Sequence, residues 1–258
     1  MPVASHLYYF ANEPENYLRP PVVLLHGAGG NHLYWPPQVR RLHEQRMFAV
    51  DLSGHGKSGG IGHHAIDAYA ADVIEFIKAI GLNAVVLVGH SMGGAIALHA
   101  AIRFPRQVLA LGVVGSGARL RVTPALLRST ADAGTFPAAV KQITDLSFAP
   151  QTSARLKELA AQRMAEVRPS VLHGDLLACD AFDVTDQLST VPAPTLILCG
   201  AEDRMTPPKY SEFLQTHIAG SRLEIMPNAG HMLMLEQPDA VAGSLARFLD
   251  SIPYQPGQ

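Results

Sequence analysis

One stretch, VVLVGHSMGGAIALHAA at residues 85–101, limits what this chain can fold into more than any other. Its four leading aliphatic residues predict a strand buried on both faces. The small apolar residues from Met92 onward predict a helix lying tightly against a sheet. Only Gly89, His90 and Ser91 separate the two, so the chain turns sharply from strand to helix at Ser91. Glycines two residues to either side remove side chains that would clash in such a turn, and the serine hydroxyl is left exposed at its apex.

The same alternation recurs along the chain. PVVLLHG (21–27), MFAVDLSG (47–54), NAVVLVGHS (83–91), VLALGVVGSG (108–117), APTLILCGAED (193–203) and RLEIMPNAGH (222–231) read as strands, and SHLYYFAN as an added antiparallel edge strand. Helical stripes fall between them. Tyr69, Val73, Ile77 and Ile80 share one face before a stop at Gly81, and Val241, Leu245, Phe248 and Ile252 share another after Pro238. Strands alternating with helices predict an α/β domain with a mostly parallel sheet of eight strands or nearly so. With 48% hydrophobic and 16% charged residues, the chain has enough apolar material for a large core and too little charge for disorder. Residues 120–189 interrupt the pattern with helical segments and no strand, and Pro137, Pro150 and Pro169 divide them. They are expected to form a helical cap inserted into a core of residues 1–119 and 190–258. The tail PYQPGQ is expected to fray.

Ligands on open α/β sheets bind beyond the carboxyl ends of the strands, and the unusual residues here cluster at such ends. Ser91 is the candidate nucleophile. A serine hydroxyl needs a base near neutral pH, and His231, in a Pro/Asn/Gly-rich loop after the last strand, is placed to supply it. His26 is expected to shape its loop, His90 to turn away from Ser91, and His99 to pack on a helix. Asp203 is the expected orienting acid, with Glu202 and Asp51 as rivals; DLSGHGKS around Asp51 reads as a turn. An oxyanion hole requires two fixed N–H donors. Met92 N–H is one, and HGAGGN points to Ala28 for the other, with Gly29 as second choice.

Other chemistries are poorly supported. The formal net charge of −2, without long runs of one sign, argues against nucleic acid or an anionic membrane as partner. Gly56-Lys57-Ser58 ends like a phosphate-binding loop, but Asp51 stands where that motif requires glycine. His55, His63 and His64 lack ligand partners at metal-site spacing, and neither cofactor nor metal is expected. Cys199 reads as a buried small hydrophobe. No basic leader precedes an apolar core and no apolar run approaches the roughly 20 residues of a membrane span, so a soluble, cytoplasmic monomer or homodimer is expected. Met205, Met232, Leu233 and Trp35 are read equally well as pocket lining or as core.

Taken together, HGAGG (26–30), DLSGHGKS (51–58), GHSMGG (89–94), GAEDRMTP (200–207) and NAGHMLMLEQP (228–238) resemble the α/β-hydrolase superfamily over essentially the whole chain. The resemblance implies the α/β-hydrolase fold with a helical cap, a triad of Ser91, Asp203 and His231, and an oxyanion hole of Ala28 and Met92. Serine at position 91 differs from the aspartate of haloalkane dehalogenases and epoxide hydrolases, and the longer HGGG of the hormone-sensitive-lipase-like group is missing. The chain looks most similar to small capped serine esterases acting on small-molecule esters. Carbon–carbon bond hydrolases, enol-lactonases and perhydrolases share the triad and stay open as alternatives. A non-catalytic small-molecule receptor on this fold is the reading from a different class.

Overall fold

The computed structural model describes residues 2–15, 17 and 19–254. The apolar runs become neighbouring strands: β1 (Val3–Ala4), β2 (Leu7–Asn12), β3 (Val22–Leu25), β4 (Met47–Val50), β5 (Val85–His90), β6 (Val108–Val114), β7 (Thr195–Gly200) and β8 (Arg222–Met226). They form one 8-stranded sheet in the order β1-β2-β4-β3-β5-β6-β7-β8. Pairing is parallel from β4 to β8, whereas β2 runs antiparallel to β4 and carries the short β1 on its outer edge. The expected antiparallel strand at SHLYYFAN is therefore β2, second from the edge. The expected frayed tail falls largely outside the described residues.

Side chains of a strand point alternately to its two faces, and here both faces are apolar. Val23, Leu25, Phe48, Val50, Val85 and Leu87 pack under α2 (Ile66–Ala79) and α3 (Met92–Arg103). Val22, Leu24, Met47, Ala49, Val86 and Val88 pack against α1 (Pro37–Arg40) and α10 (Pro238–Asp250) on the other side. Burying each such side chain contributes roughly 1.5–3 kcal/mol before conformational entropy is counted, so the two-sided burial holds the central strands firmly in place. Helix α2 stops where expected, at Ala79, with Gly81 in the left-handed region at φ 74°.

Four α-helices and a 3-10 turn at Thr185–Thr190 lie between β6 and β7: α4 (Pro124–Ala131), α5 (Phe136–Ser147), α6 (Ala154–Ala165) and α7 (Pro169–Ala181) are the α-helices. The prolines act as punctuation. Pro137 sits in the first turn of α5, Pro150 separates α5 from α6, and Pro169 opens α7. Thr123 and Ser153 cap α4 and α6 by accepting from Leu126 N and Leu156 N. Leu126, Val140, Ile143, Met164 and Leu172 give these helices an apolar cluster of their own, which touches the main domain through Ala28 and Met205. After β7 come α8 (Pro208–His217) and, beyond β8, the one-turn α9 (Leu233–Glu236). No helix among the described residues is long and apolar enough to cross a membrane.

Candidate active site

Ser91 occupies the turn between β5 and α3 with φ 53° and ψ −117°, a conformation that costs a non-glycine residue roughly 1–3 kcal/mol. The surroundings hold it there. Ser91 N donates to Val114 O at 2.9 Å, and Ser91 O accepts from Gly94 N at 2.9 Å and from Ser116 Oγ at 2.8 Å. The flanking glycines are required by space. A Cβ on Gly89 would lie 2.0 Å from Gly93 O, and one on Gly93 would lie 2.3 Å from Leu25 O. The elbow is thus wedged between β3 and β6, with its strain opposed by the packed sheet.

The loops after β7 and β8 meet beside it. His231 Nδ1 donates to Asp203 Oδ2 at 2.9 Å, and both side chains are buried. Asp203 Oδ1 accepts from Met205 N and Thr206 N at 2.8 Å each, while Thr206 Oγ1 donates to Oδ2 at 2.9 Å. Burial by itself would raise the Asp203 pKa. The His231 imidazole and the His231 and Thr206 hydrogen bonds outweigh it and hold the carboxyl below the usual range. The rival acids are engaged elsewhere: Glu202 accepts from Gln151 Nε2, and Asp51 accepts from His32 N, His32 Nδ1 and Lys57 N within its turn.

Ser91, His231 and Ala28 line one cavity of about 80 Å³. Ser91 Oγ makes no hydrogen bond among the described residues. Bonds of this kind are often long or absent until substrate is bound. Met92 is the first residue of α3, so its N–H has no acceptor within the helix and is free for an oxyanion. Gly29 N, the second choice as donor, is committed to Asp175 Oδ2 at 2.8 Å, which leaves Ala28 N as the candidate in that loop. Met205 and Met232 line the cavity, as do Leu172, Leu176 and Cys179 of α7. Leu233 and Trp35 are fully buried core residues instead. Burial pushes the Cys179 thiol far up, and it pushes Cys199 up to about 11.

The histidines acquire separate tasks. His26 Nε2 accepts from Leu52 N at 3.0 Å while Nδ1 donates to Gly27 O at 2.8 Å, so one neutral tautomer satisfies both. Burial, and next to it the neighbouring His55, lowers the His26 pKa to about 4. His90 Nε2 donates to His231 O at 3.0 Å, which ties the residue before Ser91 to the backbone of the candidate base. Nothing in the sequence pattern marked that contact. Thr206 was more legible, because an Asp followed three residues later by Thr is the composition of a side-chain-capped turn. Glu236 also went unread: it accepts from Gly230 N at 2.7 Å and from Ala149 N at 2.8 Å, clamping the His231 loop to the α5–α6 joint. His63 Nε2 donates to Asp72 and His55 Nε2 to Asp175, and the described residues include no cluster of three or more metal-ligating side chains.

Against known proteins, a family model described as "Alpha/beta hydrolase family" matches residues 22–244. The pimeloyl-[acyl-carrier protein] methyl ester esterase of Neisseria meningitidis is 30% identical over 90% of this chain and 94% of its own. The 3-oxoadipate enol-lactonase 1 of Acinetobacter baylyi is 28% identical over 93% of this chain and 92% of its own. Among solved structures, an esterase from Exiguobacterium antarcticum superposes with a TM-score of 0.86 at 26% identity, covering 95% of this chain and 96% of that one.

Proposed function

The chain belongs to the alpha/beta hydrolase family, and from that premise we propose that it is a serine hydrolase cleaving carboxylic esters through an acyl-enzyme. The observation that carries this reading is the Asp203–His231 pair at 2.9 Å opening onto the cavity that the strained Ser91 also lines. Ser91 Oγ attacks the ester carbonyl carbon as His231 Nε2 takes the hydroxyl proton. Asp203, held ionised, stabilises the imidazolium through Nδ1–H. The carbonyl oxygen becomes an oxyanion between Ala28 N–H and Met92 N–H, in a low-dielectric site where fixed dipoles act strongly. The C–O bond to the alcohol breaks as His231 returns the proton to the leaving oxygen. Water then attacks the acyl group by the same route and frees Ser91. No step needs a cofactor.

Residues 120–189 act in this reading as a cap that sets the substrate's shape. The wall is mostly apolar, with Ile143, Met164, Leu172 and Leu176 facing the space above Ser91. The one Lys or Arg among the described residues of the wall, Arg121, is turned to Asp180 O at 2.9 Å and Asp183 Oδ2 at 3.1 Å. Such a site suits a small uncharged ester better than a substrate with a free carboxylate. Enol-lactone opening is the second reading. It uses the same attack on an ester carbonyl and is supported by the enol-lactonase relative. A panel of p-nitrophenyl acetate, butyrate and octanoate, run beside a neutral and an acidic enol-lactone, separates the two. Hydrolysis of the short neutral esters is expected, with a loss on the order of 10⁴-fold or more in Ser91→Ala. A wild-type protein inactive on every ester, or a Ser91→Ala variant with full activity, sinks the esterase reading.

A further inference from the structure

Asp175 lies in α7, yet its carboxylate reaches into the main domain and is fully buried. Its Oδ2 accepts from Gly29 N at 2.8 Å and from His55 Nε2 at 2.8 Å, and its Oδ1 accepts from Tyr69 OH at 2.6 Å. A buried carboxylate with no partner would be strongly destabilising. This one is met by three donors drawn from three segments: the loop after β3, the turn after β4, and α2. His55 also donates from Nδ1 to Ser53 O at 3.0 Å, so both of its ring nitrogens carry hydrogen and the ion pair is internally neutral.

The contact with Gly29 matters for the neighbouring residue. Peptide units are planar and trans, and no cis bond occurs among the described residues. Gly27 O accepts from Gly30 N at 3.0 Å and from His26 Nδ1 at 2.8 Å, which orients the peptide plane preceding Ala28 and turns Ala28 N–H to the opposite side. Asp175 orients the plane that follows, through Gly29 N–H. Ala28 is thereby held on both sides. Gly29 is at φ +62°, and a Cβ there would lie 3.0 Å from Leu172 Cδ1, so α7 presses on this loop by shape as well as by charge.

We propose that Asp175 is a positioning residue: by accepting from Gly29 N–H it holds Ala28 N–H in place for the oxyanion, so that α7 of the cap forms part of the hole's scaffold. This rests on the esterase reading above. It makes α7 a fixed wall of the site, and any opening of the cap takes place elsewhere.

Asp175→Asn is the decisive variant. Neutral His55, still donating from Nδ1 to Ser53 O, accepts at Nε2 from the new amide nitrogen, while the amide oxygen takes the Tyr69 hydroxyl. Gly29 N–H then faces a donor and loses its acceptor. The expected result on p-nitrophenyl butyrate is a fall in kcat of about 10- to 100-fold, with KM within about twofold. Inhibition by a trifluoromethyl ketone, which forms the oxyanion, weakens by the same factor. Tyr69→Phe breaks a different bond of the same carboxylate and is expected to lower the melting temperature while keeping kcat within about threefold. A folded Asp175→Asn with kcat within twofold of wild type overturns the proposal, as does an equal kcat loss in Tyr69→Phe. Amide exchange in the wild type gives a test independent of how the variants fold. The Gly29 N–H is expected to be protected like those of β3, and rapid exchange overturns the assignment. Fluorophosphonate labelling keeps the two readings apart. Wild type and Asp175→Asn labelling at Ser91 equally fast overturns the role of Asp175 alone, whereas a wild type that neither labels nor hydrolyses esters overturns both.

Discussion

At the residue scale, the candidate site depends on side chains whose partners leave them one arrangement. Asp203 has four donors around two oxygens, from His231, Met205 and both the N–H and the hydroxyl of Thr206. Asp203→Asn would turn an amide N–H₂ towards His231 Nδ1 and favour the wrong imidazole tautomer. The expected consequence is a kcat loss on the order of 10³- to 10⁴-fold with little change in KM, measured on a short p-nitrophenyl ester. A loss below tenfold would mean that another acid orients His231. Ser91, Asp203 and His231 were legible because each stands at the end of a predicted strand, where the residue type itself is unusual. His90 and Glu236 were not, since a histidine beside a nucleophile or a glutamate in a short helix looks the same whether it braces a loop or faces water.

At the element scale, the helices between β6 and β7 contribute Ile143, Met164, Leu172 and Leu176 to the wall of the cavity that Ser91 lines. Their number and breaks follow from local chemistry, namely proline at helix starts and Thr123 and Ser153 as caps. Which of their faces turns to the site does not, because α4, α5 and α6 are amphipathic but pack on one another as well as on the core, and α7 is buried on nearly all sides. Helix α7 turns Leu172, Leu176 and Cys179 towards the cavity. Leu176→Phe adds bulk to a space of about 80 Å³. It is expected to raise the kcat/KM preference for acetate over octanoate by about 10-fold or more, the worth of a methylene or two in an apolar pocket. Unchanged chain-length selectivity would show that the acyl group lies away from α7.

At the scale of the whole molecule, buried histidines link stability to pH. His26, lowered from 6.5 to about 4 by burial, then by His55, stays neutral in the folded protein where the unfolded chain takes up a proton. Burial, followed by the charge of His231, lowers His90 in the same direction. Stability from these groups is present above pH 6.5 and is lost as the pH falls below it, for His26 towards about 4. Asp203, held below the usual carboxylate range, extends the loss to lower pH. His55 works the other way. Burial opposes its charge, but Asp175 outweighs burial and raises the pKa, so its contribution is present below 6.5 and fades as the pH rises. Urea titrations are expected to show unfolding free energy dropping steeply between pH 6.5 and 4, and a flat profile there would contradict the neutral assignment of His26 and His90.

The sequence by itself determined the alternation of strands and helices, the elbow at Ser91 and the order of the residues around it. Those features are written in local periodicity and in glycines that a sharp turn demands. Only the tertiary structure decided that Asp175, 120 residues from His55 and 146 from Gly29, joins the two. Local pattern records how a segment is buried. Which buried polar group meets which depends on how distant segments cross, and a carboxylate in the interior must find its donors wherever the fold brings them.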